Sequence, residues 1–459
     1  MHIKLAIANI ADNRPDYYLR RKDLVEEEIK ALNWLRRKYD VIESDILLSN
    51  EDIYDFAQKV KTFDAQSLVI HIPIWATPVS AVKLQNYLSL PILLLGNSRP
   101  ETSSIVGILG AGGALDQIAC SHARIFDHTS EESQRSIIAF IRAAAAKEAL
   151  RGQTLGLFGG RSLGIFTAEA DPAQWERLFG VEVLYIDQNE IIETANALEP
   201  ETVKRHMEWL KKSVCEIEYN ATFTPGAFER QVRSYIATRR LVSDYKLDFI
   251  GVKCQPELSD GYVTQCVSHM LMNGVLDADG KKNATVHVCE SDADGALTMQ
   301  ILNLLSEGQP TALLDLRWFN REKGTWTLAN CGALPASFFS LEGDKSGLSK
   351  VRITGHAFGK GGGGALPAVV APQTVTLARL CRKAGRYRMY ILSGNAEEYG
   401  NEELSRTTGV FPQAIVKIRN GNEFVDEYGS NHIHMVSGDY TRELVNFCRL
   451  TGIEFKCHC

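Results

Sequence analysis

Short apolar runs alternate with amphipathic segments over the first third of the chain. The run HIKLAIANI at 2–10 predicts a strand, and DLVEEEIKALNWLRRKY at 23–39 has apolar residues at helical spacing opposite a charged face. SLVIHIPI at 67–74 and LPILLLG at 90–96 predict buried strands on either side of the helical segment 79–88. Strands that alternate with helices in this way predict a parallel sheet with crossover helices.

The same alternation starts again near residue 150. TLGLFGG at 154–160, VEVLYID at 181–187, YKLDFIGVKC at 245–254 and NATVHVCE at 283–290 predict the strands of a second α/β layer. Helical stretches such as PETVKRHMEWLKKSV separate these runs. The pattern therefore predicts a second doubly wound domain of similar size.

Beyond residue 310 the pattern changes to short β-rich runs with turn residues between them. TALLDLRWF at 311–319, KVRITGHAFG at 350–359 and YRMYILSG at 387–394 are examples. Such a pattern is typical of an antiparallel barrel or sandwich. The predicted architecture is two Rossmann-like doubly wound α/β domains, 1–150 and 151–309, followed by a β-rich, barrel-like C-terminal domain, 310–459.

Charge and composition narrow the class of protein without selecting a reaction. The 459 residues include 50 Lys+Arg and 56 Asp+Glu, a formal net charge of -6, which argues against a nucleic-acid or anionic-membrane binder. No run of 18 apolar residues predicts a membrane helix. The N-terminus lacks the pattern of a secretory signal, and the ten cysteines are dispersed. We therefore expect a cytoplasmic protein with free thiols.

Two glycine-rich segments are candidate nucleotide or anion sites. VGILGAGGALDQIA at 106–119 resembles a dinucleotide fingerprint, but Leu115 occupies the position of its third glycine. A tight turn between a strand and a helix is the expected structure there, and a nucleotide-dependent oxidoreductase is kept as an alternative function. LFGGRSLGI at 157–165 could bring its backbone amides and Arg161 to an anionic group, or could be a plain turn.

The strongest candidates for chemistry are polar residues that follow or interrupt apolar strands. Glu290 ends the strand VHVCE, at the edge of a parallel sheet where ligands bind. Asp315 lies inside TALLDLRWF, where a structural salt bridge with Arg317 is the alternative interpretation. His432 and His434 lie two residues apart in NHIHMVSGD, so that they share one face of an extended segment. Helix capping is the preferred interpretation for two neighbouring acids, Asp292 and Asp294.

Glu290, Asp315 and His432 together suit a hard or borderline divalent cation. Carboxylates favour Mn²⁺ or Mg²⁺, and one imidazole favours manganese. The three residues come from two predicted domains, which places the predicted site in a cleft between them.

These segments resemble the L-fucose isomerase family, with the L-arabinose isomerases as more distant relatives. The likeness runs in collinear order from about residue 151 to the C-terminus and is weaker before it. It is carried by GQTLGLFGGRSLGI with WERLFGVEVLYID, by FIGVKCQ, by CESDADGALTMQIL, by DLRWF, by ANCG and by NHIHMVSGD.

The resemblance implies an aldose–ketose isomerase that works through a cis-enediol with one Mn²⁺, for which Mg²⁺ or Co²⁺ could substitute. Carried over residue by residue, Glu290, Asp315 and His432 would bind the metal, and Glu290 and Asp315 would move protons. The residues implied for sugar binding are Gln255, Asn330, Cys331 and Asn431, with His434 as an outer-layer or hydroxyl-binding group. No organic cofactor is implied.

The resemblance also bears on substrate and assembly. Cys254 and Cys331 replace an aromatic residue and a serine of the family pattern. These departures put L-fucose itself in question and admit modified sugars such as sulfoquinovose, whose sulfonate Arg161 could bind. Family members complete the sugar site between subunits, so a homo-oligomer is expected, with Trp75 from a neighbour closing the site. A non-catalytic sugar-binding protein on the same scaffold is the main rival function.

Overall fold

The computed structural model describes residues 2–12, 14–398, 409–418 and 423–458. The chain divides into two compact units. The first contains Met1–Ala149 and Arg442–Gly452, and the second contains Leu150–Thr441 and Ile453–Cys459. The division into three domains at 150 and 309 stays a prediction.

The first unit is built on a parallel sheet. Its strands are β1 (Lys4–Ile10), β2 (Asp40–Leu47), β3 (Ser67–His71), β4 (Ile92–Leu95) and β5 (His122–Ile125). They pair in the order β2-β1-β3-β4-β5. This is a doubly wound order in which the direction of winding reverses between β1 and β3.

Helices cover both faces of this sheet. They are α1 (Pro15–Leu19), α2 (Lys22–Ala31), α3 (Asn33–Lys38), α4 (Asn50–Phe63), α5 (Val79–Leu88), α6 (Ser104–Gln117) and α7 (Glu131–Leu150). Leu68 and Ile70 of β3 pack into one apolar cluster and Val69 packs into another, as alternation along a strand requires. The predicted parallel sheet is confirmed.

The glycine-rich segment 106–119 is not the tight turn that the sequence predicted. Most of it lies inside α6. A Cβ on Gly107 would come within 2.7 Å of Ile72 Cγ2, so the small residue lets the helix pack closely on the chain after β3. A dinucleotide fingerprint has to join a strand to a helix, and the motif that suggested nucleotide binding is in the wrong place for it.

The second unit begins with another parallel sheet. Its strands β6 (Thr154–Phe158), β7 (Glu182–Ile186), β9 (Phe249–Val252) and β12 (His287–Cys289) pair in the order β12-β9-β6-β7. Shorter strands in this region are β8 (Glu216–Glu218), β10 (Leu276–Asp277) and β11 (Gly280–Lys281). The helices are α8 (Pro172–Phe179), α9 (Asn189–Asn196), α10 (Pro200–Ser213), α11 (Pro225–Asp244), α12 (Ser259–Gly261), α13 (Cys266–Asn273) and α14 (Ala293–Leu305).

A closed antiparallel barrel follows in the same unit. Its described strands are β13 (Thr311–Asn320), β14 (Thr325–Ala329), β17 (Gln373–Lys383), β18 (Arg386–Ala396), β19 (Gln413–Ile418) and β20 (His432–Ser437). They run in the order β17-β20-β13-β14-β19-β18, and β18 pairs back to β17. The strand β21 (Glu454–His458) lies parallel to β18, and α15 (Asp344–Leu348) is a short helix of this unit. The helix α16 (Thr441–Thr451) belongs to the first unit from Arg442 onward. The predicted α/β architecture with a C-terminal barrel is confirmed.

One predicted strand of the barrel lies elsewhere. The segment 350–359 forms β15 (Arg352–Gly355), which pairs with β8 and with β16 (Gly364–Ala365) in a separate sheet. Its backbone groups are therefore satisfied by a strand of the α/β part and not by the barrel. Its β-rich sequence identified a strand but not that strand's partner.

The buried helix α14 connects the parallel sheet to the barrel. Most of its residues are buried, and it packs against β9 and β12 on one side and against β13, β17 and β20 on the other. Residues just before α14 are therefore held close to the barrel.

Two further observations concern the helices and the cysteines. Among the described residues, no helix is both long enough and apolar enough to cross a membrane. Eight described cysteines are free thiols, as expected, whereas Cys457 is disulfide-bonded, which corrects the expectation for that residue.

Candidate active site

The three predicted metal ligands come together in the second unit. Glu290 follows β12 directly, Asp315 lies in β13 and His432 begins β20. Asp315 and His432 are direct partners in the antiparallel register of the barrel, so their side chains lie side by side. His432 Nε2 is 3.4 Å from Glu290 Oε2 and 3.7 Å from Asp315 Oδ1. One imidazole nitrogen thus faces both carboxylates.

The backbone at Glu290 is in an uncommon conformation. Glu290 has φ 59° and Ser291 has φ 52°, both in the left-handed region that side chains rarely adopt. Such residues persist where the surrounding structure holds them, and they cluster at functional sites. The left-handed pair turns the chain from β12 into α14 and aims Glu290 at the barrel.

His432 is held in one tautomer by Asp292. His432 Nδ1 donates to Asp292 Oδ2 at 2.7 Å, and Asp292 also caps α14 by accepting from the Gly295 N–H. Among the residues that the structure describes, His432 Nε2 has no hydrogen-bond partner, although His432 is only 1% exposed. A histidine whose one nitrogen is bound to a carboxylate and whose other is free is the usual form of a metal ligand.

Arg379 is the counter-ion of this arrangement. Its guanidinium contacts the Asp292 carboxylate, and both side chains are fully buried. Burial raises the pKa of Asp292, but Arg379 and then His432 lower it by more, so that the pKa lies well below its usual range. Burial lowers the pKa of His432, whereas the hydrogen bond to Asp292 and the charge of the Glu290 carboxylate, 3.4 Å from Nε2, raise it to about 10, so these carboxylates favour positive charge at Nε2. Asp292 is therefore an anion that holds the imidazole in place.

Asp315 is more accessible than Glu290. Its side chain is 24% exposed, against 11% for Glu290. Burial raises the pKa of Asp315 above its ordinary value, with His432 opposing the shift. Asn431 Nδ2 donates to Asp315 Oδ1 at 3.3 Å, and Arg317 stands 3.9 Å from the other oxygen. The structural salt bridge weighed from the sequence is present but loose, and it leaves the carboxylate beside His432.

The other predicted sugar-binding residues have mixed surroundings. Asn330 Oδ1 accepts from the N–H groups of Gly332 and Ala333, and Nδ2 donates to Leu313 O, so Asn330 shapes the turn that carries Cys331. His434 is fully buried, and within the described part of the chain neither of its ring nitrogens has a hydrogen-bond partner.

Gln255 and Arg161 follow neighbouring strands of the parallel sheet, β9 and β6. Gln255 is half-buried after β9, and its carbonyl accepts from Ser162 Oγ. Arg161 stands 3.5 Å from Glu169, with its guanidinium over the Phe166 ring. The substrate-binding roles of Gln255, Asn330, Cys331, Asn431 and His434, and that of Arg161, stay predictions.

Trp75 belongs to the first unit. The backbone N–H of Trp75 donates to Thr102 O, and its backbone carbonyl accepts from the Asp12 N–H. The Arg14 guanidinium lies 5.3 Å from the centre of its ring. The role of Trp75 at a subunit interface stays a prediction.

Sequence reasoning missed the network around these residues. Asp292 was interpreted only as a helix cap, and Arg379 was not considered, although an arginine in the apolar run TVTLARL is a signal of an inward-facing charge. It also missed that Cys331 interacts with Cys289. A hydrogen bond with Cys289 lowers the pKa of the Cys331 thiol, against the effect of burial.

Comparisons with known proteins concern the family of the chain. Residues 328–458 match the family described as L-fucose isomerase, C-terminal domain. A sulfoquinovose isomerase from Priestia megaterium is 22% identical over 443 residues, 94% of each chain. Another, from Alkalicoccus urumqiensis, is 21% identical over 377 residues, 80% of each chain. These matches confirm the predicted resemblance and extend it into the first unit.

A solved structure with a much weaker likeness is a periplasmic solute binding protein of an ABC transporter from Actinobacillus succinogenes, with bound D-allose. It is 9% identical, covers 67% of this chain and 93% of that chain, and has a TM-score of 0.16. At that score it carries no argument about this chain.

Proposed function

We propose that this chain, whose residues 328–458 match the family of L-fucose isomerase C-terminal domains, is an aldose–ketose isomerase acting on an open-chain hexose or related sugar. The observation that supports it best is the convergence of Glu290 and Asp315 on His432 Nε2. Two carboxylates and an imidazole at the junction of a parallel sheet and a barrel provide both metal ligands and proton carriers.

The cluster fits a divalent cation. Glu290, Asp315 and His432 would hold it, with Mn²⁺ as the proposed ion and Mg²⁺ or Co²⁺ as substitutes. His432 Nε2 is buried and has no hydrogen-bond partner among the described residues, so it is the atom that would bind such an ion. When bound, the ion would supply a Lewis acid that polarises the sugar carbonyl and stabilises charge on neighbouring oxygens.

The proton transfer falls to the protein's own carboxylates. In the proposed cis-enediol route a base removes the proton on C2 of the aldose, and the C1 oxygen gains a proton. A proton is then delivered to C1 while the C2 hydroxyl loses one, so that the ketose forms with no net change in atoms. Glu290 and Asp315 are the candidates for this step. Burial raises the pKa of Asp315, which makes it a stronger base than an ordinary aspartate. A positioned base of this kind contributes typically 10²–10⁴-fold.

A sulfonated hexose such as sulfoquinovose is the proposed substrate class. The relatives from Priestia megaterium and Alkalicoccus urumqiensis carry that name, at 22% and 21% identity. The experiment compares kcat/KM for sulfoquinovose and glucose, which share the hexose ring and differ in the sulfonate. Equal values for the two sugars would remove the sulfonate from the proposal and leave the isomerase.

The reaction itself is tested by Glu290→Gln. This change keeps the volume of the side chain and removes its charge, and we expect kcat to fall by about 10²–10⁴-fold with an unchanged far-UV CD spectrum. EDTA should abolish turnover and Mn²⁺ should restore it. Glu342→Gln, at an exposed position, is the matched control. Full activity in Glu290→Gln, or indifference to EDTA, contradicts the proposal.

We also propose a homo-oligomer in which a neighbour's Trp75 closes the sugar site. The expectation comes from the family resemblance, and the sedimentation coefficient of the active protein tests it. A monomer with full activity would rule it out.

A further inference from the structure

The first unit contains a second cluster of ligand-type side chains that the proposed isomerase reaction does not use. Glu28 lies on α2, His71 is the last residue of β3, and His128 lies between β5 and α7. One ligand atom of each residue lies within 4.8 Å of those of the other two. Their exposures are 5%, 0% and 2%, so the cluster is buried.

The cluster lies at the position in this fold where ligands bind. His71 ends β3, and Asn9 lies near the end of β1. In the order β2-β1-β3-β4-β5, winding reverses between these two strands. Ligands of doubly wound sheets bind outside the carboxyl ends of the strands at that point.

A chain of hydrogen bonds fixes the tautomer of His71. Asn9 Nδ2 donates to Glu43 Oε1 at 2.9 Å and to Ser44 O at 2.8 Å. Asn9 Oδ1 must therefore be the acceptor for His71 Nδ1–H, at 2.8 Å. Arg36 in turn holds Glu43 with two contacts of 2.6 and 2.7 Å. This leaves the lone pair on His71 Nε2.

That nitrogen has no protein partner in the described part of the chain. His71 Nε2 forms no hydrogen bond there, although the residue is fully buried. An imidazole with one nitrogen anchored by an outer partner and the other nitrogen open is what a metal ion binds.

Glu28 and His128 stand at hydrogen-bond distance, about 0.6 Å closer together than two ligands of one ion. His128 Nε2 is 2.8 Å from Glu28 Oε2. Two ligands at about 2.1 Å from one ion, at a tetrahedral angle, lie about 3.4 Å apart. The other Glu28 oxygen is 3.3 Å from Arg99, which also stands 2.8 Å from Glu27. Arg99 is therefore shared between Glu27 and Glu28 and does not neutralise both carboxylates. The remaining negative charge would favour a bound cation.

We propose that Glu28, His71 and His128 bind a divalent transition-metal cation, with Zn²⁺ or Co²⁺ as the ion of choice. Two imidazoles and one carboxylate suit these borderline metals, and three protein ligands leave a coordination position open for water or a ligand. The alternative interpretation is that the cluster binds no ion, and that His128 only donates a hydrogen bond to Glu28 while His71 Nε2 binds nothing.

The test removes the proposed isomerase site first, so that only the second cluster is measured. In full-length Glu290→Gln/His432→Asn protein, dialysed against Zn²⁺, we expect one bound zinc per chain by elemental analysis. Adding Glu28→Gln, which keeps the size of the side chain and a hydrogen-bond acceptor for His128, should weaken zinc binding at least 100-fold. Adding His122→Asn, a histidine of the same unit outside the cluster, should leave it unchanged.

Two further measurements identify the ligands. Co²⁺ in the same background should show visible d–d bands of nitrogen and oxygen ligation, without the near-ultraviolet charge-transfer bands of cysteine thiolates. Zn²⁺ at 100 times its Kd should raise the melting temperature by roughly 5–10 °C, and Glu28→Gln should abolish that shift.

Three results would overturn the proposal. They are no retained Zn²⁺ or Co²⁺ in the folded background protein, zinc binding that survives Glu28→Gln, and thiolate bands with Co²⁺. Far-UV CD separates loss of metal from loss of fold. None of these readouts depends on isomerase activity, so failure of the proposed function leaves the result intact.

Discussion

Asp292 is the residue whose replacement most directly tests how the proposed active site is held. The change Asp292→Asn keeps the shape of the side chain and an acceptor for the N-cap of α14, because asparagine caps helices as well as aspartate does. What it removes is the negative charge between His432 and Arg379, both of which are buried. The variant therefore isolates the electrostatic role of this carboxylate.

Two magnitudes follow from the contacts. Arg379 is 0% exposed and would lose its partner carboxylate, and breaking a buried pair in this way costs about 3–5 kcal/mol of unfolding free energy. The His432 tautomer would also lose its anchor, and replacing such an outer partner lowers metal affinity about 10–100-fold. We expect both effects in the same variant.

The assay is Mn²⁺ titration by calorimetry at a temperature where both proteins are folded, together with urea unfolding. Asp294→Asn is the matched control, since Asp294 lies in the same turn, is equally buried, and bonds to Tyr387 and not to His432. A Mn²⁺ affinity within twofold of the unmodified protein in Asp292→Asn, or an equal loss in Asp294→Asn, would refute the reasoning.

Other predictions concern pH, metal removal and the first unit. Burial raises the pKa of Asp294 from 3.8 to about 7, so the folded state holds this proton more tightly than the unfolded state. Its contribution to the free energy of unfolding is full below about pH 4 and is lost by pH 7. Between these pH values, the free energy of unfolding of Asp294→Asn, measured with urea, should therefore rise by about 4 kcal/mol relative to that of the unmodified protein. A constant difference between the two proteins would show that Asp294 is an ordinary acid. EDTA should lower the melting temperature of the unmodified protein, and by less in Glu290→Gln, as differential scanning calorimetry would record; an equal fall in both would place the stabilising metal elsewhere. Trp75→Ala should raise KM for the sugar while leaving the fold intact, and unchanged kinetics would count against its role at a neighbour's site.

Local pattern was sufficient to predict the two parallel sheets and the barrel. It also singled out Glu290, Asp315 and His432, which lie close together in the structure, but their roles stay predictions. Apolar runs ending in glycine or in an acid identified β6 and β12 because strands of parallel sheets are buried on both faces. The pattern could not supply pairing. Nothing in the run TALLDLRWF says that Asp315 faces His432, since their register depends on how distant strands close the barrel.

The errors have the same physical origin. The segment 106–119 was expected to turn because of its glycines, whereas those glycines permit close packing of a helix. The strand β15 was assigned to the barrel because its residues resemble those of the barrel strands, although β8 is its partner. His71 ends an apolar run and was not singled out, because the hydrogen bond that its Nδ1–H donates to Asn9, which leaves Nε2 open, exists only in the folded sheet.

The first unit is discontinuous in sequence, which has a consequence for how the chain is made. Its residues 1–149 are completed by 442–452, where Leu450 packs against the apolar cluster that contains Ile137 and Phe140. Glu443 and Arg449 of the same helix contact Arg142 and Ser121. A ribosome synthesises that helix only after residues 150–441 of the second unit. The core of the first unit therefore cannot be completed until most of the second unit has been made, and removing the residues from 442 onward would expose apolar side chains of that core.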